Sequence, residues 1–159
     1  MRIRQAQPGE GDTLGDLGFA AWEASVFGRH DAGRTDRGAL REAFRRFCRQ
    51  APEAILVAEA DGLLLGWGAR EHHDEQVSDL WVAPHSQGRG AGGLLLGALL
   101  DQIAAAGHGH AKVETLASNI GAIAFYQRHG FAEVWRAEKF SAALGYAIDK
   151  VGMNKSLSP

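Results

Sequence analysis

Trp81-Val82-Ala83-Pro84-His85-Ser86-Gln87-Gly88-Arg89-Gly90-Ala91-Gly92-Gly93 joins an apolar, strand-like run to the leucine-rich run Leu94-Leu95-Leu96. Pro84 has no N–H for a ladder, so the strand ends there. The glycines let the backbone turn tightly and approach a ligand closely. The first N–H groups of the helix that follows lack internal partners, and its dipole favours negative charge at that end. A strand, a glycine turn and a helix N-terminus in this order make a diphosphate cradle. Taken alone, the segment also reads as a glycine turn without a ligand.

Two nucleotide-site readings fail. Gly88, Gly90 and Gly93 satisfy a G-x-G-x-x-G spacing. That fingerprint follows its strand almost directly, whereas Pro84 to Gln87 intervene here. It also needs an acidic residue ending the next strand, and Glu114 lies inside one. The phosphate loop of ATPases requires Gly-Lys-Ser/Thr, which does not occur here.

Working outward, Val77 to Val82 reads as a strand and Gly92 to Ala106 as a helix, with Leu94, Leu95, Leu99 and Ile103 on one face and Gly107 ending it. Upstream, Ala54 to Ala60 and Leu63 to Arg70 form a hairpin about Asp61-Gly62, a two-residue turn signal. Before that come a short strand at Arg2 to Ala6 and two helices. The first carries Leu14, Leu17, Phe19 and Trp22 and ends before Phe27; Asp36 caps the second, striped by Leu40, Phe44, Phe47 and Cys48. Downstream, Ala111 to Leu116 is a strand and Asn119 caps a helix to His129, ended by Gly130. Phe131 to Glu138 and Tyr146 to Met153 are the last strands. The expected fold is α/β in the α+β sense: one domain over residues 1–155, a mixed and mostly antiparallel sheet with helices on both faces, and a frayed tail over 156–159.

Composition bounds the function. The chain has 159 residues, enough for one domain with a full core. A net charge of −2 gives no basic footprint for nucleic acid. One cysteine rules out an intrachain disulfide. The N-terminus lacks the apolar run of a signal peptide, and no stretch is long enough to span a bilayer. The expectation is a cytoplasmic protein acting without nucleic acid or membrane; a homodimer is compatible with the sequence.

Val82-x-Pro84 followed by Gln87, Gly90 and Gly92 resembles the central motif of the GNAT superfamily of N-acetyltransferases. Asn119-x-x-Ala122-x-x-Phe125-Tyr126-x-x-x-Gly130-Phe131 resembles the second signature of the same family, in family order. The match runs from about Asp79 to Phe131; the N-terminal half fits only in its pattern of elements. The resemblance implies acetyl-CoA as acyl-donor cosubstrate, and strands at Trp81-Val82 and Val113 that splay to form its slot. The backbone of Gln87, Gly88, Arg89, Gly90, Ala91, Gly92 and Gly93 would hold the diphosphate. Trp81 and Val82 would pair with the pantetheine amides as an added strand would. Asn119 would contact the pantetheine arm, and Tyr126 would face the thioester sulfur.

Attack of an amine on a thioester passes through a tetrahedral intermediate. The acceptor ammonium must lose a proton, the oxyanion needs a donor, and the leaving thiolate benefits from an acid. Tyr126 carries a proton at neutral pH and suits the last task; it also reads as a core residue beside Phe125. Glu114 leads as base and also reads as an ion-paired strand carboxylate. Asp79 is its rival, Glu71 is third, and a water relay is a further option. A glutamate at the place of Glu114 resembles the protein N-terminal acetyltransferase branch, although the residues that follow differ. The acceptor is thus a small amine, an amino acid or a protein N-terminus, small-molecule or peptide. The alternative is a non-catalytic acyl-CoA-binding sensor or partner module.

Other residues read more plainly. The histidines of His72-His73 and His108-x-His110 lie in turns without metal-ligand spacing, so no metal is expected. Arg41, Arg45 and Arg49 read as a solvated helix face, with anion docking as the minor alternative. Cys48 reads as buried. Trp22 and Phe27 read as core; the segment from Ser25 to Asp31 resembles the family's substrate-side loop, and that resemblance makes them acceptor-pocket candidates.

Overall fold

In the computed structural model, which describes residues 1–31, 33–142 and 144–157, the strands form two antiparallel half-sheets. The first holds β1 (Arg2–Gln5), β2 (Ile55–Ala60), β3 (Leu63–Ala69) and β4 (Asp79–Val82), in that order. The second holds β5 (His110–Leu116), β6 (Ala132–Ser141) and β7 (Tyr146–Ser156), in the order β5-β7-β6. Asp61 and Gly62 take positive φ of 50° and 78°, which makes the tight β2–β3 turn that the dipeptide predicts.

The half-sheets meet at one place. Gln76 and Lys112 form a parallel bridge. Val77 N–H donates to the Lys112 carbonyl at 2.9 Å, and Lys112 N–H to the Glu75 carbonyl at 2.9 Å. Beyond this point β4 pairs only with β3, and β5 only with β7. The two central strands therefore part as they run on, which opens the expected slot.

One face of the sheets is covered by α4 (Ala91–Ala105) and α5 (Ile120–Arg128). Leu95, Leu96, Leu99 and Ile103 are fully buried against Leu65, Val113, Val151 and Met153. The predicted stripe placed Leu94 here, but Leu94 is 50% exposed. It lies roughly 150° round the helix from the centre of the buried arc, and Leu96 takes its place.

The other face carries α1 (Gly11–Ala24), α2 (Val26–His30) and α3 (Arg37–Gln50). Three glycines set the α1–α3 spacing. A Cβ at Gly11 would stand 2.8 Å from Arg49 Cα, and one at Gly15 2.5 Å from Arg45 Cα. One at Gly18 would meet the Phe44 and Trp67 rings at 2.9 Å. Alongside this seam, Asp16 pairs with Arg41 at 2.9 Å and Arg45 at 2.7 Å, and Arg49 pairs with Asp12 and Glu42. The arginine row is thus partly exposed but committed to carboxylates, chiefly those of α1. The first helix ends earlier than its apolar pattern suggests. Ser25 caps a separate short turn, its hydroxyl accepting from Gly28 N–H at 3.3 Å. At the other terminus β7 runs through Ser156, paired with His110, and Leu157 N–H donates to the Gly109 carbonyl at 2.8 Å. Ser158 and Pro159 lie outside the described residues.

Candidate active site

The glycine turn forms as its sequence demands. Gly88 and Gly90 take positive φ of 77° and 91°, a region that disfavours a Cβ. Gly90 is the N-cap of α4, and no side chain caps that end. The amides of Ala91, Gly92 and Gly93 therefore lack helical acceptors. A Cβ built on Gly88 or Gly90 would meet nothing within 4 Å, so both face open space. Gln87 folds back, its Nε2 donating to the Val82 carbonyl at 3.2 Å, and so holds the turn against the strand end.

These residues form one wall of a cleft of about 670 Å³. Leu80 and Val82 of β4 form its floor; Asn119, Ala122, Phe125 and Tyr126 come from the start and face of α5; Ala21, Ala24 and Val26 close the far side. Asn119 caps α5 as predicted, its Oδ1 accepting from Ala122 N–H at 3.1 Å. Two predicted cofactor residues do not line the cleft. Arg89 is absent from its walls, and Trp81 turns its ring to the other face, edge-on to Phe44 with centroids 5.3 Å apart. Open glycines, uncapped amides and a cleft of this volume fit the diphosphate and pantetheine arm of a coenzyme A thioester.

Tyr126 lies between Phe125 and Phe131, with ring centroids at 5.3 and 5.6 Å. Burial pushes its hydroxyl up to about 12, and the nearby Asp79 charge adds to this. The phenol therefore keeps its proton at neutral pH. Asp79 opens β4. Its carboxylate accepts from Ser78 Oγ at 2.9 Å and Trp81 Nε1 at 3.2 Å. Burial raises its pKa above the usual aspartate value; the two hydrogen bonds oppose the shift, and the Glu71 charge adds to it. Glu114 alternates with the buried Val113, so it shares the α1–α3 face with Asp79 and Trp81. Its carboxylate lies 3.3 Å from Lys150 Nζ. Continued by two residues, the Gln76–Lys112 register puts Glu114 beside Ser78, where the strands begin to part. Neither Asp79 nor Glu114 lines either cavity of the site. Glu71 lines neither cavity of the site.

A second cavity of about 790 Å³ lies next to the first and shares Val26 with it. Phe27 and Tyr146 stack across it with centroids 6.2 Å apart, and Arg34 sits 4.0 Å over the Tyr146 ring. Phe27 therefore lines this second cavity. Trp22 is buried and lines neither cavity; it supports Phe27 from behind, at 5.8 Å. Sequence reasoning missed Asp31, Thr35 and Tyr146. The buried Asp31 accepts from Thr35 Oγ1 at 2.7 Å, from Thr35 N–H at 2.9 Å and from the Tyr146 hydroxyl. Tyr146 is more than a hundred residues from Asp31, and no local pattern signals that pairing. Sequence reasoning also missed Ser86 and His129, which line the first cleft.

Among the described residues no group of three or more His, Cys, Asp or Glu is placed to hold a metal ion. Cys48 is buried, which pushes its thiol up to about 12 and keeps it protonated. Among the described residues no helix is long and apolar enough to cross a membrane.

Residues 20–131 match the acetyltransferase (GNAT) family, and the chain belongs to that family. Over 118 residues it is 32% identical to mycothiol acetyltransferase of Clavibacter sepedonicus. That match covers 72% of this chain and 39% of the relative, so it spans well under half the length of that protein. Among solved structures, a GCN5-related N-acetyltransferase from Rhodopseudomonas palustris superposes with a TM-score of 0.80 at 21% identity, over 98% of this chain and 95% of that one. YncA of Salmonella typhimurium, a putative acetyltransferase solved with its cofactor acetyl-CoA, gives 0.68 at 19% identity, over 100% and 95%.

Proposed function

We propose that the chain is an N-acetyltransferase that moves an acetyl group from acetyl-CoA directly to a primary amine, both bound at once. One observation carries this reading. A single cleft has the uncapped N-terminus of α4 and Tyr126 among its walls, and a second cavity shares Val26 with it. When bound, acetyl-CoA would supply the acyl group as a thioester open to attack by an amine.

The residues of the chain divide the remaining work. Amides of α4 and the glycine turn would hold the diphosphate against the positive end of the helix dipole. The unpaired edge of β4 at Leu80 to Val82 would take the pantetheine arm as an added strand. Asn119, already the cap of α5, would meet the same arm. Tyr126, kept protonated by burial, would protonate the departing sulfur. Glu114, with Lys150 beside it, would accept the proton of the incoming ammonium; Asp79 is the competing base. The aromatic walls of the second cavity, Phe27 and Tyr146, would seat the acceptor, a small-molecule or peptide amine. The likeness to mycothiol acetyltransferase supports acetyl as the group transferred. Acetyl-CoA titration followed by a thiol-release assay over a panel of amines tests the proposal.

A further inference from the structure

Ser86 is fully buried, and its Oγ has no hydrogen-bond partner among the described residues. It is the one buried side-chain polar atom there left in this state. Buried hydroxyls almost always find a partner, and an unpaired one costs stability. Its position makes the exception informative. Ser86 ends the short turn Pro84–Ser86 that leads from β4 into the glycine loop, and it lines the cleft beside Gln87, Gly88 and Gly90. The carbonyls three and four residues back already accept elsewhere: Val82 from Gln87 Nε2 at 3.2 Å, and Ala83 from the Ser86 amide at 2.8 Å.

We infer that Ser86 Oγ is a further donor of the cofactor cradle, reserved for a phosphoryl oxygen of the bound diphosphate. This rests on the reading of the cleft as a coenzyme A site. The reason is the sign of the groups that converge there. The uncapped amides of Ala91, Gly92 and Gly93 are donors, and the spare hydroxyl hydrogen of Ser86 is another. A cluster of donors favours a ligand group rich in acceptors, which describes a diphosphate. An ammonium has no acceptor to offer them, and an acyl chain has little. The family motif assigns the backbone from Gln87 onward and gives the preceding side chain no part.

Ser86→Ala separates this role from a mere packing defect, because its two effects have opposite signs. Removing an unpaired buried hydroxyl leaves the ligand-free protein as stable as wild type or more so, read as an equal or higher Tm. Removing a hydrogen bond to a charged oxygen weakens coenzyme A binding by about tenfold or more in calorimetric titration. Titration with pantetheine, which has no phosphate, gives equal affinity for wild type and variant. Ser86→Cys keeps a similar volume with a weaker donor and shows the same pattern. Unchanged coenzyme A affinity in Ser86→Ala overturns the inference alone, as does an equal loss for pantetheine. A wild-type protein that fails to bind coenzyme A overturns the proposed function and this inference with it.

Discussion

Glu114 of β5 and Lys150 of β7 form an ion pair of 3.3 Å on the face that looks toward α1–α3, one step from where the central strands part. Both side chains are about a quarter exposed, at 25% and 26%. A carboxylate in that setting stays within reach of solvent. Glu114→Gln should lower kcat by about 10²-fold, the lower end of general base catalysis. Raising the pH should restore part of the loss by supplying more free amine. Acetyl-CoA affinity should hold, since the proton transfer is felt in the transition state. If Asp79→Asn abolishes turnover while Glu114→Gln does not, the proton leaves through β4 instead.

Asp79 also gives a prediction about stability. Burial holds its pKa above the usual value, so the folded chain binds this proton more tightly than the unfolded chain. The contribution to stability is complete below the unfolded value of 3.8 and is lost as pH rises through the folded one. Asp79→Asn removes that loss. Its Tm should exceed that of wild type at pH 7, and the gap should close as pH falls toward 3.8. Thermal melts across this range decide the matter; a variant less stable than wild type at pH 7 would show that the ionised carboxylate is stabilising.

Gly90→Asp tests the cradle itself. The position has φ of 91° and faces open space, so the new side chain enters the cleft rather than the core. A β-carbon in that conformation costs roughly 1–2 kcal/mol. A negative charge there also repels a diphosphate. Coenzyme A affinity should fall by more than the loss of Tm suggests. A folded variant with wild-type affinity would move the diphosphate elsewhere.

The glycine turn and the Asn119 cap were legible because each is local: φ, capping and helix polarity are decided within a few residues. The same holds for the Asp61-Gly62 hairpin. The splay of β4 from β5 came from the resemblance, not from periodicity, because no run of residues encodes where two strands separate. Leu94 was misplaced for a different reason. In so apolar a helix the stripe is wide, and only the packed sheet decides which arc is buried. The Asp31–Thr35–Tyr146 cluster was beyond reach, since it joins the loop after α2 to β7 across most of the chain. The tight α1–α3 seam had a signal in Gly11, Gly15 and Gly18, whose close spacing is that of a helix contact face.

In the proposed function, Tyr126 serves transfer of an acetyl group to an amine in this cleft. The direct test is release of free thiol from acetyl-CoA, measured with and without each member of an amine panel, for wild type and Tyr126→Phe. Wild type should release thiol in a manner that depends on the amine, and Tyr126→Phe should show a kcat lower by about 10²–10⁴ with acetyl-CoA affinity kept. Tight acetyl-CoA binding with no thiol release for any amine would contradict it and leave a binding module; full turnover by Tyr126→Phe would remove the tyrosine from the chemistry.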